Sequence, residues 1–154
     1  MRQRNLDDEY FFGKDLLVCP LTLEDGTSRE VYLPEGNWYN FFTGEKIEGG
    51  RRLVLEADWN EMLVFARDGA LVPVAEPVIC VTEDTVFNIT VKSFGTNKTG
   101  SCVLYEDDFV SFNYESLVAK KQINVTVGDN GKFIVSGAKT STKYHFLNCK
   151  VRYL

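Results

Sequence analysis

The stretch LPEGNWYNFFTGEKIEGGRRL, Leu33 to Leu53, places four aromatic residues within five positions. In an extended strand successive side chains point to opposite faces, so this stretch puts two rings on each face. A sugar-binding platform would expose its rings on one face and keep the other for the core. Rings on both faces instead favour packing on both sides, with Gly44 predicted to turn the chain. The four residues are Trp38, Tyr39, Phe41 and Phe42.

Short strand-like segments continue on both sides of this stretch. DLLVCPL (15–21) is a continuous apolar run, which is typical of a strand buried on both faces, whereas VFNITVK (86–92) alternates. INVTV and KFIVS flank GDNG, a predicted hairpin, and the C-terminal KYHFLNCKVRYL reads as one long strand or two short ones. No segment keeps a helical period of 3.6. The pattern therefore predicts an all-β fold of two small antiparallel β-sandwich domains in tandem.

The boundary between the two domains is predicted near Ala75 and Glu76. Pro73 and Pro77 lie on either side of this point, and proline lacks the amide donor that a sheet ladder needs. Upstream, RDG (67–69) separates the strands MLVFA and ALVPV, and a tight hairpin is expected there. Each half has only about 75 residues, so we expect the halves to depend on each other or on a further element.

The bulk composition is that of a globular chain. Of 154 residues, 44% are hydrophobic and 25% are charged, and the net charge is −5. This charge argues against a nucleic-acid partner, since phosphate binding needs a concentrated positive surface. No apolar run is long enough for a membrane helix, and no secretion signal is expected at the N-terminus. The compartment, cytoplasmic or secreted, stays open.

Few residues carry the patterns of known chemistry. Cys19, Cys80, Cys102 and Cys149 form no Cys-x-x-Cys pair, which argues against zinc and favours buried thiols, with one or two disulfides left open. His145 is the only histidine, and no acid near it in sequence could orient it as a catalytic base. No catalytic residue and no cofactor are predicted.

Two acidic runs remain. Glu106, Asp107 and Asp108 are expected to cap a turn, and they are weak candidates for a cation such as calcium. The second run, 7–9, lies near the N-terminus, where a solvated segment is expected.

Four ordered segments together resemble the C-terminal region of glycoside hydrolase family 31, the α-glucosidase and α-xylosidase family. They are YFFGKDLLVCPL (10–21), REVYLPEGNWYNFFTGEKIEGGRRL (29–53), MLVFARDGALVP (62–73) and LYEDD (104–108). The sequence departs from the family pattern at several places. The arginine-alanine-glycine turn of the family is Arg67-Asp68-Gly69 in this chain. Phe109 replaces the glycine that often follows the acidic motif in the family.

The resemblance implies that residues 1–14 are the end of a catalytic (β/α)₈ barrel or a linker, 15–75 the proximal β-sandwich and 76–154 the distal β-sandwich. The family's catalytic aspartates lie on the barrel, and no position here matches their motifs. The expected function is therefore a non-catalytic scaffold for the barrel of a retaining α-glycoside hydrolase, which meets oligosaccharide only indirectly. The barrel is the expected partner, with Trp38, Tyr39, Phe41 and Phe42 as packing or barrel-facing residues.

Two alternatives stay open. A carbohydrate-binding module would explain the density of Trp and Tyr, and a stand-alone structural β-sandwich would need no barrel at all. If the barrel is the missing partner, apolar side chains should be exposed near the N-terminal strand and the aromatic stretch.

Overall fold

The fold is known from a computed structural model, which describes most of the first half of the chain and separate strands of the second. The described residues are 8–21, 27–58, 60–82, 84–95, 99–105, 112, 120–127, 133–136 and 144–152. Within these ranges no helix is long and apolar enough to cross a bilayer. The acidic candidates Glu106, Asp107 and Asp108 lie outside them.

The described ranges are built from β-strands, and every pairing with a defined register is antiparallel. The predicted all-β antiparallel fold is therefore confirmed. The strands are β1 Tyr10–Phe12, β2 Leu16–Cys19, β3 Ser28–Leu33, β4 Asn37–Asn40, β5 Lys46–Glu48, β6 Arg51–Glu56, β7 Leu63–Arg67, β8 Leu71–Ala75, β9 Phe87–Phe94, β10 Thr99–Tyr105, β11 Lys120–Val127, β12 Phe133–Ser136 and β13 Tyr144–Arg152.

The chain divides into two compact units. The first consists of Met1–Ala70 together with Phe94–Thr96 and Arg152–Leu154, and the second of Leu71–Ser93 and Asn97–Val151.

In the first unit a five-stranded sheet, in the order β1-β2-β7-β4-β5, faces a two-stranded sheet of β3 and β6. Both sheets contribute to one core, because β2 turns Leu17 and Cys19 inward and β3 turns Val31 and Leu33 inward, while Val18 is buried on the opposite face of β2. The continuous apolar run is buried as its pattern predicted. The core consists of Leu17, Cys19, Val31, Leu33, Trp38, Ala57, Leu63 and Phe65, with Leu21, Ile47, Leu53 and Leu55 packed against it.

The hairpin predicted at RDG does not form. β7 pairs with β2 on one side and β4 on the other, so neither of its edges is free for β8. β8 pairs with β9 instead. The turn itself is tight, with the Ala70 amide donating to the Arg67 carbonyl at 3.0 Å and Gly69 at φ +81°. RDG is therefore a corner at which the chain leaves one sheet, not a connection within it.

The second unit contains two three-stranded sheets, in the orders β10-β11-β12 and β13-β9-β8. The predicted hairpin of INVTV and KFIVS is confirmed by the pairing of β11 with β12, in which Val127 faces Phe133. β9 buries Ile89 and Val91 on the alternating face that the sequence predicted. Pro73 is tolerated opposite Val91 because β8 is at the edge of its sheet.

Candidate functional site: an aromatic edge on the first unit

Strand β1 carries three consecutive aromatic side chains that the first unit leaves largely uncovered. Tyr10, Phe11 and Phe12 are 53%, 45% and 67% exposed. β1 lies at the edge of its sheet and pairs with β2 through only three residue pairs. We call these three residues the aromatic edge. Three adjacent exposed rings on a sheet margin are the kind of apolar surface that marks an interface.

The aromatic edge is continuous with a stacked layer at the centre of the sheet. The Phe11 ring lies 6.1 Å from the buried Trp38 ring, and the Arg67 guanidinium lies over both rings, at 5.6 Å and 5.3 Å from their centroids. A guanidinium over two aromatic faces is held by attraction to their π-electrons. Among the described residues Arg67 makes no ion pair, so its charge is available at this surface.

Trp38 is held in this layer by a hydrogen bond to the backbone at Pro34, and Gly49 leaves room for that contact. Its indole Nε1 donates to the Pro34 carbonyl oxygen at 2.8 Å. A Cβ on Gly49 would lie 1.9 Å from that same oxygen and 2.9 Å from the indole Cδ1. Gly50 serves a different need, since its φ of +80° lies in the left-handed region. Trp38 is completely buried, so it cannot stack on a ligand.

The other three aromatic residues of the opening stretch form a second cluster with Phe94. The Phe94 ring lies 6.5 Å from Tyr39 and 5.6 Å from Phe41, and Phe41 meets Phe42 edge-on at 5.3 Å. Tyr39 is buried, Phe41 half-buried and Phe42 53% exposed. Burial above all, and the nearby Asp68 carboxylate, raise the pKa of the Tyr39 hydroxyl.

The prediction of one extended strand carrying all four rings was wrong, because the strand ends before Phe41 and Phe42. β4 stops at Asn40, whose Oδ1 accepts hydrogen bonds from the amides of Phe42 at 2.9 Å and Thr43 at 3.0 Å. This side-chain cap competes with the sheet ladder and turns the backbone. Gly44, at φ +80°, completes the turn as predicted.

Residues 8 and 9 of the N-terminal acidic run, the two that the structure describes, are held by contacts to β3, which the sequence did not suggest. Asp8 makes an ion pair with the buried Arg29, with 2.8 Å between Oδ2 and Nη2. Glu9 is half-buried, and its Oε2 accepts a hydrogen bond from the Tyr32 amide at 3.2 Å. Burial, the largest effect, raises the pKa of the Glu9 carboxyl. This network could not be predicted from the sequence, because Arg29 and Asp8 are 21 positions apart.

The remaining sequence candidates are scattered. Cys19 is buried, Cys102 half-buried and Cys80 exposed, so buried thiols were predicted wrongly for Cys80. His145 lies in β13.

An open depression of about 510 Å³ is lined by polar and glycine residues in and around β4 and β5. Its lining residues are Tyr32, Glu35, Gly36, Asn37, Glu48, Gly49 and Gly50.

Comparison with known proteins gives a consistent match. Residues 2–72 match the model of the glycosyl hydrolase family 31 C-terminal domain. A 1,6-alpha-glucosyltransferase of Sporosarcina globispora is 32% identical over 145 residues, 90% of this chain and 11% of that protein. An alpha-xylosidase of Saccharolobus solfataricus is 35% identical over 112 residues, 72% of this chain and 15% of that protein.

Solved structures agree with these sequence matches. The family 31 dextranase of Flavobacterium johnsoniae, solved with glucose, superposes with a TM-score of 0.71 at 30% identity, over 84% of this chain and 16% of that one. The family 31 alpha-xylosidase of Xanthomonas citri superposes with a TM-score of 0.67 at 30% identity, over 96% of this chain and 16% of that one. The chain thus spans less than a fifth of the length of these relatives.

Proposed function

The chain belongs to glycosyl hydrolase family 31 through the C-terminal domain that residues 2–72 match, and on that premise we propose that it is the non-catalytic C-terminal part of a retaining α-glycoside hydrolase. Its role is to support the catalytic barrel of the same parent chain, and it meets oligosaccharide only through that barrel. The support is the small share of each relative that the chain spans, 11% and 15% for the first two.

The aromatic edge is the observation that carries this proposal. Isolated exposed apolar residues are common on monomers, but three adjacent exposed rings on one sheet margin are not. A surface of this composition is stabilised when a partner covers it. The edge begins at Tyr10, so the part of the parent that precedes the domain is the natural occupant.

The domain assignment follows from the same proposal. Residues 1–14 are the end of the barrel or a linker, 15–75 the proximal β-sandwich and 76–154 the distal β-sandwich. The core of the first unit, which joins the five-stranded and two-stranded sheets, supports the proximal assignment.

The parent's reaction is proposed from its relatives. Proteins described as alpha-xylosidase and alpha-glucosidase 2 align with 72% and 86% of the chain, which favours hydrolysis of α-glycosidic bonds. The 1,6-alpha-glucosyltransferase aligns with 90%, so transfer of the glycosyl group to a second sugar is the competing outcome. Both reactions depend on barrel residues that this chain does not match.

A direct test is an assay of the purified chain on aryl α-glucosides and aryl α-xylosides. We expect no turnover above the buffer rate, because no position of the sequence matches the motifs of the two catalytic carboxylates on which glycoside hydrolysis depends. Turnover that copurifies with the chain through successive columns would overturn the non-catalytic assignment.

The carbohydrate-binding alternative has its own test. Maltooligosaccharides and xylogluco-oligosaccharides are titrated to millimolar concentration while tryptophan fluorescence and amide NMR shifts are followed. We expect no saturable change, since Trp38 is buried and only Phe42 of the four central rings is mostly exposed. Saturable shifts at Asn37 and Gly49, which line the polar depression, would support sugar binding instead.

A further inference from the structure

Arg29 is an unusually buried cation that holds the N-terminal segment. Its side chain is only 7% exposed. One guanidinium nitrogen donates to the carbonyl oxygens of Asp8, at 2.8 Å, and of Pro20. The other, Nη2, lies 2.8 Å from the Asp8 carboxylate, in an ion pair without an aligned hydrogen bond. Arg29 thus ties together the segment before β1 and the segment after β2.

Beneath this attachment lies the Cys19 thiol. Cys19 is completely buried, and its Sγ lies 3.9 Å from the Glu9 carboxylate. Glu9 is held in turn by the Tyr32 amide of β3. The segment that covers the thiol is therefore fixed by polar contacts to β3, at Arg29 and Tyr32.

Apolar contact holds the segment mainly through one ring. Phe11 packs on Trp38 but remains 45% exposed, Tyr10 and Phe12 are mostly exposed, and the ladder to β2 consists of three residue pairs. A three-residue edge strand with uncovered side chains is only marginally stable by itself. Elements with few buried apolar contacts are the ones that open locally while the rest of the domain stays folded.

We propose that residues 8–12 form a strap, latched by Arg29, that closes over β2 and the Cys19 thiol and can open without unfolding of the sandwich. Opening frees the outer edge of β2 and makes Cys19 accessible to solvent. This inference concerns a conformational device of the chain itself and does not depend on the activity of the parent enzyme.

The test is the rate of alkylation of Cys19 by N-ethylmaleimide, followed by peptide mass spectrometry in the full chain. The exposed Cys80 provides the reference rate in every sample. In Arg29→Gln we expect Cys19 to react at least about tenfold faster, with Cys80 unchanged, because the substitution removes the ion pair to Asp8 and leaves the Asp8 and Pro20 carbonyl oxygens without their buried donor. The free energy of unfolding is measured in parallel by urea denaturation.

Arg52→Gln is the matched control. Arg52 also pairs with a carboxylate, Glu30, but this pair is half-exposed, and Arg52 acts on the strap through its charge near Glu9 and not through a latch contact. An exposed pair contributes little, so the Cys19 rate should change by less than about twofold. An equal acceleration in both variants would overturn the proposal.

Asp8→Asn is the second variant, and it serves if Arg29→Gln does not fold. The Asp8 side chain is 51% exposed, so its neutralisation should leave the sandwich intact while weakening the latch, with Cys19 reacting about threefold faster. No acceleration in this variant, or a wild-type Cys19 that becomes reactive only as fast as the whole chain unfolds, would show that no separate strap exists.

Discussion

The glycine pair at 49 and 50 shows how single residues set the geometry of the opening stretch. Gly49 is required for space, since Pro34 and Trp38 occupy the position of its Cβ. Gly50 is required for its backbone angle alone, because a Cβ there would approach nothing closer than 3.9 Å. The two neighbouring glycines are therefore required for different physical reasons, and their substitution should have different effects on stability.

We predict that Gly49→Ala lowers the free energy of unfolding by about 2–4 kcal/mol, because a backbone carbonyl cannot move aside cheaply and Trp38 must shift. Gly50→Ala, the matched control, should cost about 1–2 kcal/mol, the cost of a left-handed conformation. Urea denaturation of both variants measures the difference. Equal losses would mean that the contact with Pro34 does not constrain Gly49.

A second residue-scale prediction concerns alkaline pH. Burial, followed by the nearby Glu9 charge, raises the pKa of the Cys19 thiol from 9.0 to about 12. Between these pH values the folded chain keeps a proton that the unfolded chain has lost, so the free energy of unfolding falls as pH rises above 9.0.

The check is urea denaturation of wild type and Cys19→Ala from pH 7 upward. The variant lacks this titration, so its stability should fall less steeply above pH 9.0, whatever its absolute value. Parallel curves for the two proteins would contradict the predicted proton linkage.

Among the strands, side-chain patterns predicted which segments are extended and buried, but not where β4 ends or which strands β7 pairs with. The apolar run 15–21 and the alternation in β9 correctly indicated burial on two faces and on one face, respectively. The end of β4 was missed, because an Asn40 side chain can serve either a strand or a turn. The partner of β7 was also missed, since strand pairing depends on which edges remain free.

The aromatic edge gives a prediction at this scale. Phe12→Ala should change the free energy of unfolding by less than about 0.5 kcal/mol, because the side chain is 67% exposed, and should reduce binding of an apolar dye. Phe65→Ala, at a fully buried ring of β7, should cost about 3–5 kcal/mol. Comparable losses in the two variants would show that the chain itself covers β1.

For the whole molecule, Phe94 shows that the first unit is not a continuous segment. It belongs to that unit although it follows the unit's other strands by more than 20 residues, and its ring packs on Tyr39 and Phe41. The Gly69 amide donates to its carbonyl, and its own amide donates to the Ala70 carbonyl.

We therefore predict that a fragment of residues 1–75 unfolds at lower temperature than the first unit within the full chain. Phe94→Ala in the full chain should lower the free energy of unfolding by about 3–5 kcal/mol, because the residue is 1% exposed. Circular dichroism melts of both proteins provide the measurement. A fragment with undiminished stability would mean that Phe94 contributes little.

Alternation and motif spacing are local properties of a chain, so the all-β class and the family could be predicted from the sequence, as could the lack of a match to the family's catalytic motifs. The tertiary structure alone decided which aromatic residues are covered, that Arg29 holds Asp8, and that β1 is left with three exposed rings. The physical reason is that burial and ion pairing depend on neighbours brought together from distant positions. The same LPEGNWYNFF pattern buries Trp38 and exposes Phe42 because the fold places a core beside one residue and solvent beside the other.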